Sequence, residues 1–187
     1  SAQQIDNAGL WQAGTLQIDG DALENSGLLA GLNGMTLKVD QLRNQGELFS
    51  QGSINGTGTR FDNAGLLTGL SGFELRYSDQ INNLSNARLL SGGDGVLSTG
   101  RFSNLGLWQS DVLHLTAQQA ENWAQLLGVN QADISLSGDF VNNGTGEVAS
   151  GGALTLAANA VDNAGTVQGP VHTGWHAEQC LRRSHQQ

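Results

Sequence analysis

The chain of 187 residues contains 27 glycines, a single proline, a single cysteine and a formal net charge of −9. An acidic surface repels the phosphate backbone, so the composition argues against nucleic acid as a partner. The lone Cys180 excludes an internal disulfide, and no apolar run is long enough for a transmembrane segment. The first 30 residues show no export signal. Because the repeat is already present at Ile5, we expect a piece of a longer array, whose export signal lies elsewhere in the parent protein.

A short pattern, an apolar residue before Asn-x-Gly and then large apolar residues, recurs along the whole chain. Its clearest copy is Phe-Asp-Asn-Ala-Gly-Leu-Leu at residues 61–67. The spacing of the asparagines is mostly 18 to 21 residues, and a fixed short period indicates a repeat array. The predicted structural asparagines are Asn7, Asn25, Asn44, Asn63, Asn86, Asn104, Asn122, Asn142 and Asn163.

The second half of each copy alternates apolar and polar residues, as in residues 35–39, 73–77 and 113–115. Strict alternation predicts half-buried strands. Two short strands and two turns in ~19 residues describe one coil of a β-solenoid, whose apolar face is buried only by stacking on its neighbours. The predicted fold is therefore all-β, a parallel β-helix of about nine coils.

Stacking predicts columns of equivalent residues along the axis. Two are apolar: Ile5, Leu23, Leu42, Phe61, Leu84, Phe102, Ala120, Phe140 and Val161, and Trp11, Leu29, Leu48, Leu67, Leu90, Trp108 and Leu126. Asn suits the corner between strands, and stacked Asn side chains can bond to one another along the axis. The Gly two residues later provides a positive φ or room for close backbone approach.

Two segments depart from the pattern. Residues 117–128 could form an amphipathic helix ending at Gly128, but the spacing of Asn122 from Asn104 favours another coil. From Pro170 onward the repeat stops. We therefore predict a repeat array at residues 1–169 and a non-repeat tail, expected to be disordered, at residues 170–187.

Candidate metal ligands are few. His172, His176 and Cys180 follow at four-residue spacing in the tail, and residues 92–95, Gly-Gly-Asp-Gly, resemble one unit of a calcium-binding repeat. Such calcium sites need several stacked units. His114 lies on the polar side of its strand, so a solvent-facing role is expected. No metal site and no cofactor are predicted.

Catalytic groups do not cluster either. A β-helical glycosidase or lyase needs paired carboxylates, or calcium with a base. The acidic residues before the asparagines are mostly on non-adjacent coils: Asp6, Glu24, Asp62, Glu121 and Asp162. We expect no catalytic residue and no enzyme. Trp123 lies just past Asn122 and is the candidate exposed aromatic for binding a sugar.

The repeat Asn-x-Gly-[Leu/Thr]-[Leu/Trp/Val], followed by Gly-x-Leu-x-Leu, resembles the haemagglutinin repeats of filamentous haemagglutinin-like exoproteins. The resemblance covers residues 3–169, although Arg88 and Ala124 replace the glycine and the Phe140 copy carries an insertion. It implies a right-handed parallel β-helix, two-partner secretion through an outer-membrane protein, and a secreted or cell-surface location.

Three hypotheses follow. The first is a rigid, non-catalytic shaft of a haemagglutinin-like adhesin that contacts a host-cell or bacterial receptor or glycan. The alternative is the stalk of a contact-dependent growth-inhibition toxin. The remote alternative is a carbohydrate-active β-helix enzyme. Flanking sequence with a toxin module would separate the first two.

Overall fold

The computed structural model describes residues 2–170 and confirms the predicted fold class. These residues form one sheet of sixteen parallel strands wound into a β-solenoid of about nine turns, and they contain no helix. The strands are β1 (Ala2–Asn7), β2 (Leu10–Asn25), β3 (Leu28–Asn44), β4 (Glu47–Ser50), β5 (Ser53–Asn63), β6 (Leu66–Gly69), β7 (Gly72–Asn83), β8 (Arg88–Ser91), β9 (Asp94–Asn104), β10 (Leu107–Asn122), β11 (Gln125–Leu136), β12 (Asp139–Asn142), β13 (Glu147–Ser150), β14 (Ala153–Ala157), β15 (Ala160–Asn163) and β16 (Thr166–Gln168).

Each coil pairs with the coil before it and the coil after it. In the coil at residues 66–83, β6 pairs with β4 and β8, and β7 pairs with β5 and β9. The chain turns after the preceding Asn63, again between β6 and β7, and a third time where the register shifts between Tyr77 and Gln80. The coil therefore has three straight segments, one more than the alternation predicted.

The predicted alternation positions the core. In β7, Phe73, Leu75 and Tyr77 are buried, while Glu74 and Arg76 lie on the outer side. Repeating this pattern in every coil builds one continuous apolar core along the axis. Burial of such columns is the main stabilising contribution, roughly 25 cal/mol for each Å² of apolar surface removed from water.

The two predicted apolar columns are correct except in one coil. Phe61 pairs with Ile81, not with Leu84, and Leu67 pairs with Leu89, not with Leu90. Leu84 is exposed, because it lies in the turn that follows β7. The error arises from that turn, which spans residues 84–87 where most coils have two turn residues.

Residues 117–128 belong to the solenoid. They contain the end of β10, a turn at residues 123–124 and the start of β11, so the coil is present and the helix is not. Nearly all of the predicted tail lies outside the described residues.

Glycines in one coil make room for large side chains of a neighbouring coil. A Cβ on Gly95 would collide with Ser110 and with the indole nitrogen of the buried Trp108. A Cβ on Gly56 would crowd the ring of Tyr77. Trp108 in turn packs edge-on against Phe102, with ring centroids 5.6 Å apart. Pairing a large side chain with a glycine fills the narrow core without voids.

Candidate functional site

A ladder of asparagine side chains runs along one corner of the solenoid. In each step the Nδ2 of one asparagine donates to the Oδ1 of the equivalent asparagine in the next coil, at 2.8–3.0 Å. The nine members are Asn7, Asn25, Asn44, Asn63, Asn83, Asn104, Asn122, Asn142 and Asn163. All but the last are buried. A buried amide requires hydrogen-bond partners, and the stacked neighbours provide them.

Each ladder amide from Asn7 to Asn142 makes a second contact with a following coil. The Nδ2 of Asn44, for example, also donates to the backbone carbonyl of Leu66 at 3.1 Å. The same bond recurs between Asn104 and the carbonyl of Gln125 at 3.1 Å. The ladder thus joins each corner to the first residue of the following strand, so its role is to hold the register of the coils.

The sequence misplaced one member of this ladder. Asn86 lies outside it, and Asn83 bonds to Asn63 and Asn104 in its place. Asn86 instead occupies the turn at residues 84–87 with a φ of 67°, a left-handed conformation that Asn tolerates better than most residues. An even period would have favoured Asn83. Neither Asn83 nor Asn86 has a Gly two residues later, but only Asn86 is followed at the motif spacing by two large apolar residues, Leu89 and Leu90.

The turn glycines are required by close approach of the backbone. A Cβ on Gly46 would collide with the carbonyl oxygen of Gly27, and a Cβ on Gly65 would collide with that of Gly46. In the described part of the chain the left-handed region is used by one glycine only, Gly72, at another corner. The corner that carries the ladder is therefore packed backbone against backbone.

Next to the ladder, three consecutive coils carry large apolar residues on the surface. Trp123 is 47% exposed, and Leu84 and Leu105 are each 39% exposed. Their backbone amides donate to the carbonyls of equivalent ladder asparagines in preceding coils, so the three residues occupy the same position in successive turns. We call this set the apolar ridge. Earlier and later coils carry Ala64 and Asn143 at this position.

A polar recess lies on the same coils at the third corner. It has a volume of about 640 Å³, and it is lined by Ser78, Asp79, Arg101, Gln119 and other small or polar residues. Arg101 Nη2 donates to Oδ1 of Asp79 in the preceding coil, at 3.3 Å. Gly100 also lines the recess. A Cβ at Gly100 would crowd the carbonyl of Asp79. The recess is open to solvent and offers hydrogen-bonding groups, with one ion pair.

The predicted candidates for chemistry are placed as follows. His114 is partly exposed and faces Asp133 of the next coil, with Nδ1 3.3 Å from Oδ2. Residues 92–95 form a corner and the start of β9. Within residues 2–170 no three His, Cys, Asp or Glu side chains are grouped to hold a metal ion. His172, His176 and Cys180 lie outside the described residues.

The carboxylates before the ladder share a column with other residue types. Glu24 is followed by Arg43 and then by Asp62 on successive coils. Arg43 lies 3.5 Å from Glu24, and Asp62 accepts hydrogen bonds from Arg60 and Asn82. The hydrogen bond to Asp62 raises the pKa of Arg60. These pairs are surface ion pairs, each contributing about 0–1 kcal/mol.

Over residues 2–170, no helix could cross a membrane.

Together, the stacked coils, the asparagine ladder and the turn glycines define a parallel β-solenoid built from short repeats. Among known proteins, this chain is similar in sequence to proteins named CdiA. A deoxyribonuclease CdiA of Dickeya dadantii (strain 3937) is 45% identical over 163 residues, which are 87% of this chain and 5% of the relative. No family model and no solved structure matches the chain.

Two further relatives carry different activities in their names. A tRNA nuclease CdiA of Escherichia coli (strain NC101) is 31% identical over 173 residues, which are 92% of this chain and 4% of the relative. A 16S rRNA endonuclease CdiA of Enterobacter cloacae subsp. cloacae is 28% identical over 163 residues, which are 87% of this chain and 4% of the relative. The chain therefore spans only 4–5% of the length of these curated relatives.

These relatives correct two expectations. The expectation that the protein is not an enzyme is contradicted, because the relatives are named deoxyribonuclease, tRNA nuclease and 16S rRNA endonuclease. The same names contradict the exclusion of nucleic acid as a partner. They also favour the toxin alternative over the adhesin, and they are consistent with a secreted or surface-exposed protein.

Proposed function

We propose that this chain is a stretch of the β-helical stalk of a contact-dependent growth-inhibition exoprotein similar to CdiA. The parent protein would be exported by two-partner secretion through an outer-membrane partner, and it would be displayed at the bacterial surface. Cleavage of nucleic acid is proposed as the activity of that whole protein. The likeness to three CdiA nucleases over 87–92% of this chain supports the proposal most directly.

The names of the relatives also suggest what the shared stretch does. Proteins named for cleavage of DNA, tRNA and 16S rRNA have this stretch in common, so the choice among those substrates is encoded elsewhere in them. What is common is a rod in which every coil pairs with its neighbours. Such a rod sets the distance between its two ends through the number of coils.

This role makes a prediction about deletions. Removal of residues 42–60 from the parent protein joins Gln41 to Phe61, which occupies the column position of Leu42, so every column stays in register. We expect export, surface display and growth inhibition of target cells to persist. Removal of residues 42–51 is the control, since it cuts within a coil and should abolish display.

Two results would refute the proposal. One is loss of inhibition by the whole-coil deletion while display is intact, because the stretch would then do more than set a distance. The other is a parent protein that neither inhibits contacted cells nor cleaves nucleic acid.

The apolar ridge supports a second, smaller proposal, that Trp123 contributes to contact with a receptor or glycan on the target cell. Exposed tryptophans beside polar groups are frequent in binding surfaces. Trp123→Ala should then reduce attachment to target cells without changing the fold. Leu70→Ala is the matched control, because Leu70 is equally exposed at a different corner. Equal attachment of the two variants would show that Trp123 does not contribute to binding.

A further inference from the structure

Three Asn-Gly dipeptides occur in the chain, and the fold treats them differently. Residues 33–34 lie inside β3 and residues 55–56 lie inside β5. Asn55 and Gly56 both pair with residues of the two neighbouring strands. Gly34 pairs with Thr15 and Ser53, while Asn33 lies at the corner where the register shifts. Residues 143–144 lie in the turn between β12 and β13.

This turn places the third dipeptide outside the strand pairing. It spans residues 143–146 and is closed by a hydrogen bond from Gly146 N to the carbonyl oxygen of Asn143 at 2.7 Å. Gly144 is exposed, and a Cβ at its position would meet no atom within 4 Å. The Nδ2 of Asn143 is buried, and among the described residues no group bonds to it. The backbone N–H and carbonyl of Asn143 are both hydrogen-bonded, whereas among the described residues no group bonds to the backbone nitrogen of Gly144.

We propose that Asn143 is a site of spontaneous deamidation in the folded protein. The backbone nitrogen of Gly144 loses its proton to water or hydroxide and attacks Cγ of Asn143. The N–Cγ bond forms, the Cγ–Nδ2 bond breaks, and Nδ2 leaves as ammonia after taking up a proton. Water then opens the cyclic imide at either carbonyl, which gives aspartate or isoaspartate at position 143. The overall change is addition of water and loss of ammonia, with no change of oxidation state.

Glycine makes this attack easier than any other following residue, because it lacks a Cβ and has the widest range of backbone conformations. Extended strand backbone prevents the attack, since it holds the nitrogen of the following residue away from Cγ. Asn55 is therefore protected by the same pairing that forms the solenoid, and it acts as the internal control. At Asn33 the pairing holds only the following residue, Gly34.

The change would act on the ladder. Asn143 directly follows Asn142, whose Nδ2 donates to Asn163 at 2.8 Å. The amide of Asn143 also donates to the carbonyl of Asn122 at 2.8 Å. Isoaspartate lengthens the main chain by one methylene inside the turn and disrupts its closing bond to Gly146. The coil that follows this turn begins with β13, and its backbone amides should be the first to lose protection against hydrogen exchange.

The test follows all three dipeptides in the full chain. The protein is incubated in mildly alkaline buffer, digested at intervals and analysed by mass spectrometry for the gain of about one dalton. The peptide with residues 143–144 should convert several-fold faster than the other two. In denaturant, all three should convert at similar rates, which shows that folding is what separates them.

Gly144→Ala is the decisive variant, because the added methyl group meets no atom and Gly144 does not have a left-handed φ. It should fold like the wild type and convert several-fold more slowly at Asn143. Equal rates for the three dipeptides in the folded chain would overturn the proposal. So would an unchanged rate in Gly144→Ala, and so would faster conversion at Asn33 or Asn55 than at Asn143.

Discussion

Asn63 shows what a single ladder residue contributes. Its Nδ2 donates to Asn83 at 3.0 Å and to the carbonyl of Arg88 at 3.2 Å, and its Oδ1 accepts from Asn44 at 2.9 Å. Asn63→Ala leaves buried polar atoms unsatisfied in both neighbouring coils. Each such atom costs about 1–3 kcal/mol, so we expect the free energy of unfolding to fall by about 2–4 kcal/mol in urea titrations.

The control for Asn63→Ala is Asn86→Gly. The sequence pattern had assigned Asn86 to the ladder, whereas the structure shows a turn residue with positive φ, which glycine adopts without strain. The free energy of unfolding should change by less than about 1 kcal/mol. A loss as large as that of Asn63→Ala would mean that Asn86 is the true ladder member.

Tyr77 is the one buried hydroxyl in the core column of β7, and no described group bonds to it. Tyr77→Phe removes an unsatisfied polar atom and should stabilise the protein by about 1 kcal/mol at neutral pH. Thermal or urea unfolding would measure this gain. A destabilised variant would show that the hydroxyl has a partner in solution.

The same residue predicts a dependence on pH. Burial raises the pKa of Tyr77 above its ordinary value of about 10. Below that value the hydroxyl is protonated in both states and has no effect. Above it the unfolded chain ionises while the folded chain stays neutral, so stability is lost as pH rises, by up to ~1.4 kcal/mol per pH unit. Tyr77→Phe should lack this loss, and identical alkaline profiles would contradict it.

The ladder could be predicted from sequence in eight of its nine members, because Asn-x-Gly repeats at a nearly constant period. Asn83 was missed because Asn82, Asn83 and Asn86 stand close together and the Gly marker is absent. Spacings of 20 and 21 residues to Asn63 and Asn104 would have identified Asn83. Distance along the chain is therefore a better guide here than the local motif.

At the scale of the element, the turn after each ladder asparagine combines a rigid and a variable part. The turn glycine is fixed by the carbonyl of the preceding coil. Two of these turns are longer, at 84–87, where Ala87 takes the position of the glycine, and at 143–146. The ladder is continuous past both. The alternation of the strands was predictable, but the third corner was not, since the residues that form it share no motif.

Gly65→Ala tests the rigid part. Its Cβ would collide with the carbonyl oxygen of Gly46, so the two coils must separate locally. We expect the free energy of unfolding to fall by about 1–3 kcal/mol, the range typical of overpacked cores. Gly9→Ala is the matched control, because the equivalent Cβ meets no atom within 4 Å. Equal stability of the two variants would contradict close backbone packing at this corner.

At the scale of the whole molecule, the composition predicted the surface of this stretch and misled about the parent protein. A net charge of −9 describes a rod that does not attract phosphate. The relatives named as nucleases are about twenty times longer, so a stretch of this size carries no information on the charge of their other parts. Local electrostatics cannot exclude a substrate that another region handles.

Because each coil forms its backbone hydrogen bonds with its two neighbours, the rod should come apart under tension one turn at a time. Pulling on the two ends peels the outermost coil first, since its bonds are loaded while those of inner coils are still shielded. Each release of a coil of ~19 residues would add about 60 Å of extended chain. A force–extension trace with evenly spaced steps would record this. In the proposed stalk, such stepwise release would let two attached cells be pulled apart gradually.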